Sequence, residues 1–151
     1  MDYPKEIETT NRAIRKLQMR CGFALFRDLG THPGQFPILE AIHRRSGCTQ
    51  SEIAREQCAS NASVGMSVKR LESAGLLKKS SDTYDQRATR LELTPKGERA
   101  ADEAMAAAER IGEIKLRGFS QEELAQYCDF LHRIRKNLED YSQQINTEEQ
   151  D

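Results

Sequence analysis

Four cysteines, three histidines and one short cluster of charge are the residues of this 151-residue chain best suited to chemistry. Cys21, Cys48, Cys58 and Cys128 show no C-x-x-C or C-x-H spacing, so they spell no zinc or dithiol motif. His32, His43 and His132 are scattered, and none stands at triad or ligand spacing from a cysteine or carboxylate. His43 with Glu40 is the one suggestive pair, and a lone surface pair of that kind does not make a metal site. No glycine-rich phosphate loop is present. The expectation is a protein without catalytic residues, metal or cofactor. The charge cluster is different. Ser81–Ala88 reads SDTYDQRA, two aspartates and an arginine in a turn that has neither Gly nor Asn to shape it. Exposed ion pairs contribute only about 0–1 kcal/mol, too little to explain the cluster by stability. Something outside the fold is the better reason for it.

Net charge is −1, but it is unevenly spread. From Arg44 to Arg99 the chain has 11 Lys and Arg against 7 Asp and Glu; the remainder has 12 against 17. A basic middle between acidic ends is compatible with a polyanion partner for the middle alone. Only 37% of residues are hydrophobic and 31% are charged, low for a monomer that must bury its own core. No apolar run approaches the length of a membrane span. The polar, acidic start MDYPKEIETT is unlike a secretory signal, so a cytoplasmic protein with reduced thiols is expected.

The elements that must position these residues are mainly helical. Residues 5–28 have Ile7, Ile14, Leu17, Cys21, Ala24 and Leu25 along one side of a first helix, until Gly30 and Pro33 interrupt it. A second helix is expected over 33–45. Thr49 and Glu52 then form a capping box with Cys48 and Ile53 as its apolar staple, opening a short helix that ends near Gln57. Ser60 caps another, with Val64, Val68 and Leu71 inward and Gly75 as the left-handed residue after its end. Leu91 and Leu93 alternate with Arg90 and Glu92 in a strand that pairs with LLKKS as a hairpin. Thr94-Pro95 starts an alanine-rich fifth helix. Ser120 and Glu123 form a second capping box, stapled by Phe119 and Leu124. From there Leu124, Tyr127, Leu131, Ile134, Leu138, Tyr141 and Ile145 recur at alternating steps of three and four, a heptad seam that needs a long partner. The chain has few other apolar residues to cover it, so a homodimer is expected, with an intramolecular bundle as the alternative.

The middle of the chain reads as helix, turn, helix and charged hairpin. Ala54 is small where the two helices cross, and the hairpin distinguishes a winged helix-turn-helix from two ordinary packed helices. SVGMSVKRLESAGLL, from Ser63 to Leu77, resembles the recognition helix of the MarR family of bacterial transcriptional regulators. DTYDQR, from Asp82 to Arg87, resembles that family's D-x-R-D-x-R wing. LELTPKG, from Leu91 to Gly97, matches its L-x-L-T-x-x-G, and THPGQF, from Thr31 to Phe36, is similar to the LTPxQF that leads into helix 2. The resemblance spans nearly the whole chain.

It implies a mainly α fold with a small β-wing: an N-terminal dimerisation helix over 1–30, a DNA-binding lobe over 31–94, C-terminal dimerisation helices over 95–146 and a disordered tail over 147–151. It implies a homodimeric regulator of double-stranded DNA, in most relatives a repressor, often released by a small molecule. The dimer would use Ile7, Ile14, Leu17 and the seam; Phe23, Phe26, Phe36 and Met105 could line an effector pocket. Arg87 matches the wing arginine placed in the minor groove, where a narrow groove concentrates negative potential. Asp82 and Asp85 would support the tip, as carboxylates that accept from a guanidinium.

Two departures bear on DNA contact. Tyr84 replaces the first wing arginine, so one hydrogen bond to phosphate stands where a charge would be. Met66 stands where relatives often have arginine, which removes bidentate guanine reading there. With Val64, Val68 and Leu71 inward, Asn61, Ala62, Ser63, Gly65, Met66 and Lys69 are expected to face DNA: Asn61 toward adenine, Met66 toward a thymine methyl, Gly65 allowing close approach. Lys69, Arg70, Lys78, Lys79 and Arg90 suit phosphates. Two other readings stay open. A dimeric helical scaffold for protein partners would lack steep salt dependence toward DNA. A thiol-based redox regulator of the same fold would use Cys21, beside Arg20, although its place in the apolar pattern reads as core.

Overall fold

Helix starts are where this sequence is most explicit, and the chain follows them closely. The computed structural model describes residues 2–27, 29, 31–81 and 89–148. The wing tip, with Asp82, Tyr84, Asp85 and Arg87, lies outside the described residues. Helix α1 (Tyr3–Phe26) begins two residues earlier than its apolar pattern suggests, because the Asp2 side chain accepts from the Lys5 N–H and Pro4 suits the first turn. The second helix is in two parts. Pro33–Gln35 is a 3-10 turn and only Phe36–Arg44 is α-helical, α2. Pro37 has no N–H to give the Pro33 carbonyl, and that carbonyl takes the Phe36 N–H instead.

After a bend, Cys48–Thr49 forms a two-residue strand, β1, that no periodicity announces. Helix α3 (Gln50–Glu56) follows at once, and Thr49 is its N-cap. An N-cap has extended backbone, here φ −90° and ψ 160°, so it can pair as a strand with no change of conformation. Helix α4 (Asn61–Ser73) is capped by Ser60 and closed by Gly75 at φ +71°. Strands β2 (Leu77–Ser81) and β3 (Thr89–Leu93) complete an antiparallel sheet in the order β1-β3-β2, with Cys48 opposite Leu91 and Leu77 opposite Leu93. Helix α5 (Pro95–Lys115) starts from Thr94, whose hydroxyl accepts from the Gly97 N–H at 3.0 Å. Helix α6 (Gln121–Glu148) starts from the expected Ser120–Glu123 box and continues through the first two residues of the expected tail. No helix among the described residues is long and apolar enough to cross a membrane.

Packing divides the chain into two units, Met1–Gly112 and Glu113–Asp151. In the first, Leu39, Ile42, Ile53, Val64, Val68, Leu71, Leu76 and Leu91 are fully buried and join the lobe's helices to its sheet. Each such side chain contributes about 1.5–3 kcal/mol. The Phe26 ring meets Phe36 edge-on at 5.8 Å, and Gly22 leaves room for Pro33, attaching α1 to the 3-10 turn. In the second unit the seam is not covered: from Gln121 to Ile145 no residue of α6 is buried. Cys21, expected in the core, is exposed, whereas Cys48 is buried and burial pushes its thiol pKa up, which favours the unreactive protonated form.

Candidate nucleic-acid interface

The site is built on the α3–turn–α4 unit. Ile53 and Ala54 of α3 are buried against the side of α4 that carries Val64, Val68 and Leu71. The turn between them returns the Ala59 N–H to the Ala54 carbonyl at 2.9 Å and places Cys58 at φ +49°, exposed. A small side chain is tolerated in that left-handed conformation at some cost.

With one side of α4 committed to the core, the other is free. Asn61, Ala62, Ser63, Met66, Lys69 and Arg70 are exposed, Met66 to 60%. Ser63 also donates its backbone N–H to the Ser60 hydroxyl, so its first duty is in the cap. Gly65 is placed differently from expectation. It is half-buried, and a Cβ there would lie 2.9 Å from Gln50 Nε2 of α3. Its missing side chain makes room for the Gln50 side chain of α3. Gln50 donates from Nε2 to the Asn61 carbonyl at 2.8 Å.

The cations assigned to phosphates separate into two groups. Lys69 and Arg70 are exposed on α4 with no carboxylate partner among the described residues. Lys78 pairs with Glu92 at 2.9 Å, Lys79 pairs with Glu72 at 2.7 Å, and Arg90 donates to the Gly47 carbonyl at 3.1 Å with Glu52 at 3.9 Å. These three begin as parts of the lobe, partly neutralised, and Arg90 ties β3 to the turn before β1. The Lys78 ammonium also holds the Glu92 carboxyl below its usual pKa. A pattern of alternating charge, Lys78 and Glu92 facing across β2 and β3, was available in the sequence once the register was known.

Two of the three histidines, His32 and His43, have structural partners. His32 Nδ1 accepts from the Gly34 N–H at 2.9 Å and caps the 3-10 turn, while the His32 backbone N–H donates to the buried Gln35 Oε1 at 3.1 Å. His43 pairs with Glu98 at 2.8 Å and approaches Asp102 at 3.6 Å, both on α5, rather than with Glu40.

A cavity of about 460 Å3 lies beside α1 and the 3-10 turn, lined by Arg20, Phe23, Phe26, Arg27 and His32 among others. A second, of about 380 Å3, is lined by Arg15, Met19, Phe26, Phe36 and Ile111 among others. Phe23 and Phe26 line the first cavity and Phe26 and Phe36 the second; Met105 lines neither and is exposed. Arg20 and Arg27 were missed by sequence reasoning, although their spacing of seven puts them on the same helical face as Phe23 and Ala24.

Against this geometry the relatives can be placed. A sequence model of the MarR family matches residues 32–89, from the 3-10 turn into the wing. YybA of Bacillus subtilis, an uncharacterized HTH-type transcriptional regulator, is 30% identical over 114 residues, 76% of this chain and 76% of that protein. This chain belongs to the MarR family of transcriptional regulators. The MarR fold extends beyond the matched lobe. A MarR-family regulator from Listeria monocytogenes, complexed with 26mer DNA, superposes with a TM-score of 0.73 at 23% identity, covering 93% of this chain and 91% of the other. The PcaV regulator of Streptomyces coelicolor, in complex with its natural ligand, does so with a TM-score of 0.75 at 21% identity, covering 90% and 96%. At such identities the likeness establishes the fold.

Proposed function

We propose that this MarR-family regulator binds double-stranded DNA sequence-specifically as a homodimer and represses transcription, in the cytoplasm, until a small molecule releases it. The observation that carries the proposal is the exposed side of α4: Asn61, Ala62, Met66, Lys69 and Arg70 face solvent while the opposite side is fixed in the core. A rigid helix with polar, apolar and cationic groups on its free face suits a major groove, where amides and apolar tips meet base edges and cations meet phosphates. The Listeria relative was crystallised with DNA, which supports the same use of the fold. Two-fold symmetry then implies half-sites about 34–36 Å apart. For the effector, the cavity with Arg20 and Arg27 beside Phe23 suits a small anion with a flat apolar body, and PcaV is a relative with a bound natural ligand.

The test is fluorescence anisotropy on a labelled duplex from upstream of the protein's own gene, across a salt series, for wild type and Arg87→Ala. Binding whose logarithm falls steeply with the logarithm of salt is expected, and Arg87→Ala should weaken it by about tenfold. An unchanged Arg87→Ala would remove the wing from the interface. No salt-dependent binding to any duplex would overturn the DNA-binding reading and favour the protein scaffold.

A further inference from the structure

The α3–α4 crossing contains a contact that neither core packing nor the free face of α4 requires. Gln50 is the first residue of α3, half-buried, and its side chain lies across the first turns of α4. Nε2 donates to the Asn61 carbonyl at 2.8 Å. That carbonyl belongs to the first residue of α4 and already accepts within the helix ladder, so it uses its second lone pair for Gln50. The carboxamide sits where a side chain at position 65 would be: a Cβ on Gly65 would lie 2.9 Å from Nε2 and 3.4 Å from Oε1. Only a nitrogen can face a carbonyl oxygen, so the orientation of the amide is settled by its partner.

We infer that Gln50, seated on Gly65 and bonded to Asn61, is a positioning residue that sets the angle at which α4 presents its leading turn to DNA, and so contributes to sequence discrimination without reading a base. The inference rests on the DNA-binding reading above. A helix-turn-helix recognises bases through the N-terminal residues of its second helix, and the first helix crosses the backbone. One hydrogen bond from the N-terminus of the first helix to that of the second couples the two at the end nearest the bases. Ile53 and Ala54 share the buried core with Val64 in the first turn of α4, and Gln50 adds a directional polar contact to that apolar packing. Glycine in mid-helix is unfavourable relative to alanine, so its presence at position 65 has a reason in this seat.

The experiment compares wild type, Gln50→Met, Gly65→Ala and the double variant on two probes. One is a duplex enriched by the wild-type protein from a randomised library; the other is a shuffled duplex of the same composition. Each single variant should weaken binding to the enriched duplex by about five- to tenfold, the effect of one lost hydrogen bond. Binding to the shuffled duplex, which depends on phosphate contacts, should stay within about twofold. The double variant should lose no more than the worse single, because both break one contact. Melting temperature should hold or rise in Gly65→Ala, since the flexible end of Gln50 can move away and alanine favours helix. Unchanged discrimination in either single variant, additive losses, or equal losses on both duplexes would overturn the inference. So would losses that track a fall in melting temperature. If wild type enriches nothing and binds neither duplex with salt dependence, the DNA-binding reading fails first, and the positioning role with it.

Discussion

At residue scale, two glycines of α5 behave as opposites. A Cβ on Gly97 would lie 1.9 Å from the Leu76 carbonyl oxygen, which already accepts from the Thr94 N–H at 3.1 Å. The first turn of α5 therefore rests directly on the backbone that leads from α4 into β2. Thr94 donates its hydroxyl to the Gly75 carbonyl at 2.7 Å, and Lys96 reaches the Ala74 carbonyl at 2.8 Å. Backbone on both sides cannot yield as a flexible side chain can. Gly112, in the same helix, has open space in the direction of a Cβ. Gly97→Ala should lower unfolding free energy by about 2 kcal/mol or more, as overpacking does. Gly112→Ala should raise it by up to about 1 kcal/mol through helix propensity. Urea denaturation of both would test this, and a stabilised Gly97→Ala would mean that α5 does not rest on Leu76. The L-x-L-T-x-x-G pattern was legible in the sequence, but only as letters. Its steric meaning depends on which backbone arrives above the glycine, and no local pattern records that.

At element scale the caps were the most legible feature, because a capping box is written within four residues. At the start of α3 the Thr49 N–H donates to Glu52 at 2.6 Å, and the Glu52 N–H donates to the Thr49 hydroxyl at 3.2 Å. The Thr49 backbone N–H, and next the Thr49 hydroxyl, which donates to the same carboxylate at 3.0 Å, hold the Glu52 carboxyl below its ordinary 4.5. A carboxylate whose folded pKa is depressed contributes stability above the ordinary value and loses it as pH falls through the folded one. Wild-type melting temperature should thus fall more steeply than that of Glu52→Gln as pH drops below about 4.5, because glutamine keeps an acceptor for Thr49 without a proton to gain. Parallel curves in the two proteins would mean that the box gives no charge-dependent stability. Glu92 and Glu122 are also held low, but they titrate in both proteins and cancel in the difference. What the sequence left unread at this scale was short or conditional. Strand β1 has two residues and so no period, and the α-helical start at Phe36 depended on which carbonyl Pro37 leaves without its N–H.

At the scale of the whole molecule the question is what covers α6. Its seam is exposed in the single chain, Leu138 to 63% and Tyr141 to 60%, and Ile7, Ile14 and Leu17 of α1 are exposed as well. The low hydrophobic content signalled such a shortage of cover, and the heptad spacing located it, but the partner of a seam is not written in the seam. A second copy of this chain is the proposed cover, and symmetry makes its test sensitive, because each substitution acts once from each protomer. Leu131 sits mid-seam and is exposed to 44%. Burying a leucine is worth about 1.5–3 kcal/mol, so Leu131→Glu in both copies should weaken the dimer by about a thousandfold or more. Sedimentation at micromolar concentration should then show wild type as a dimer and the variant as a monomer with unchanged helical circular dichroism. The α3–α4 lobe should stay folded, its core lying in the other unit. DNA binding should decline with it, the salt slope falling to about half as one set of phosphate contacts is lost. A variant that remains dimeric would show that the seam is covered some other way and that two-fold half-site spacing has no basis in α6.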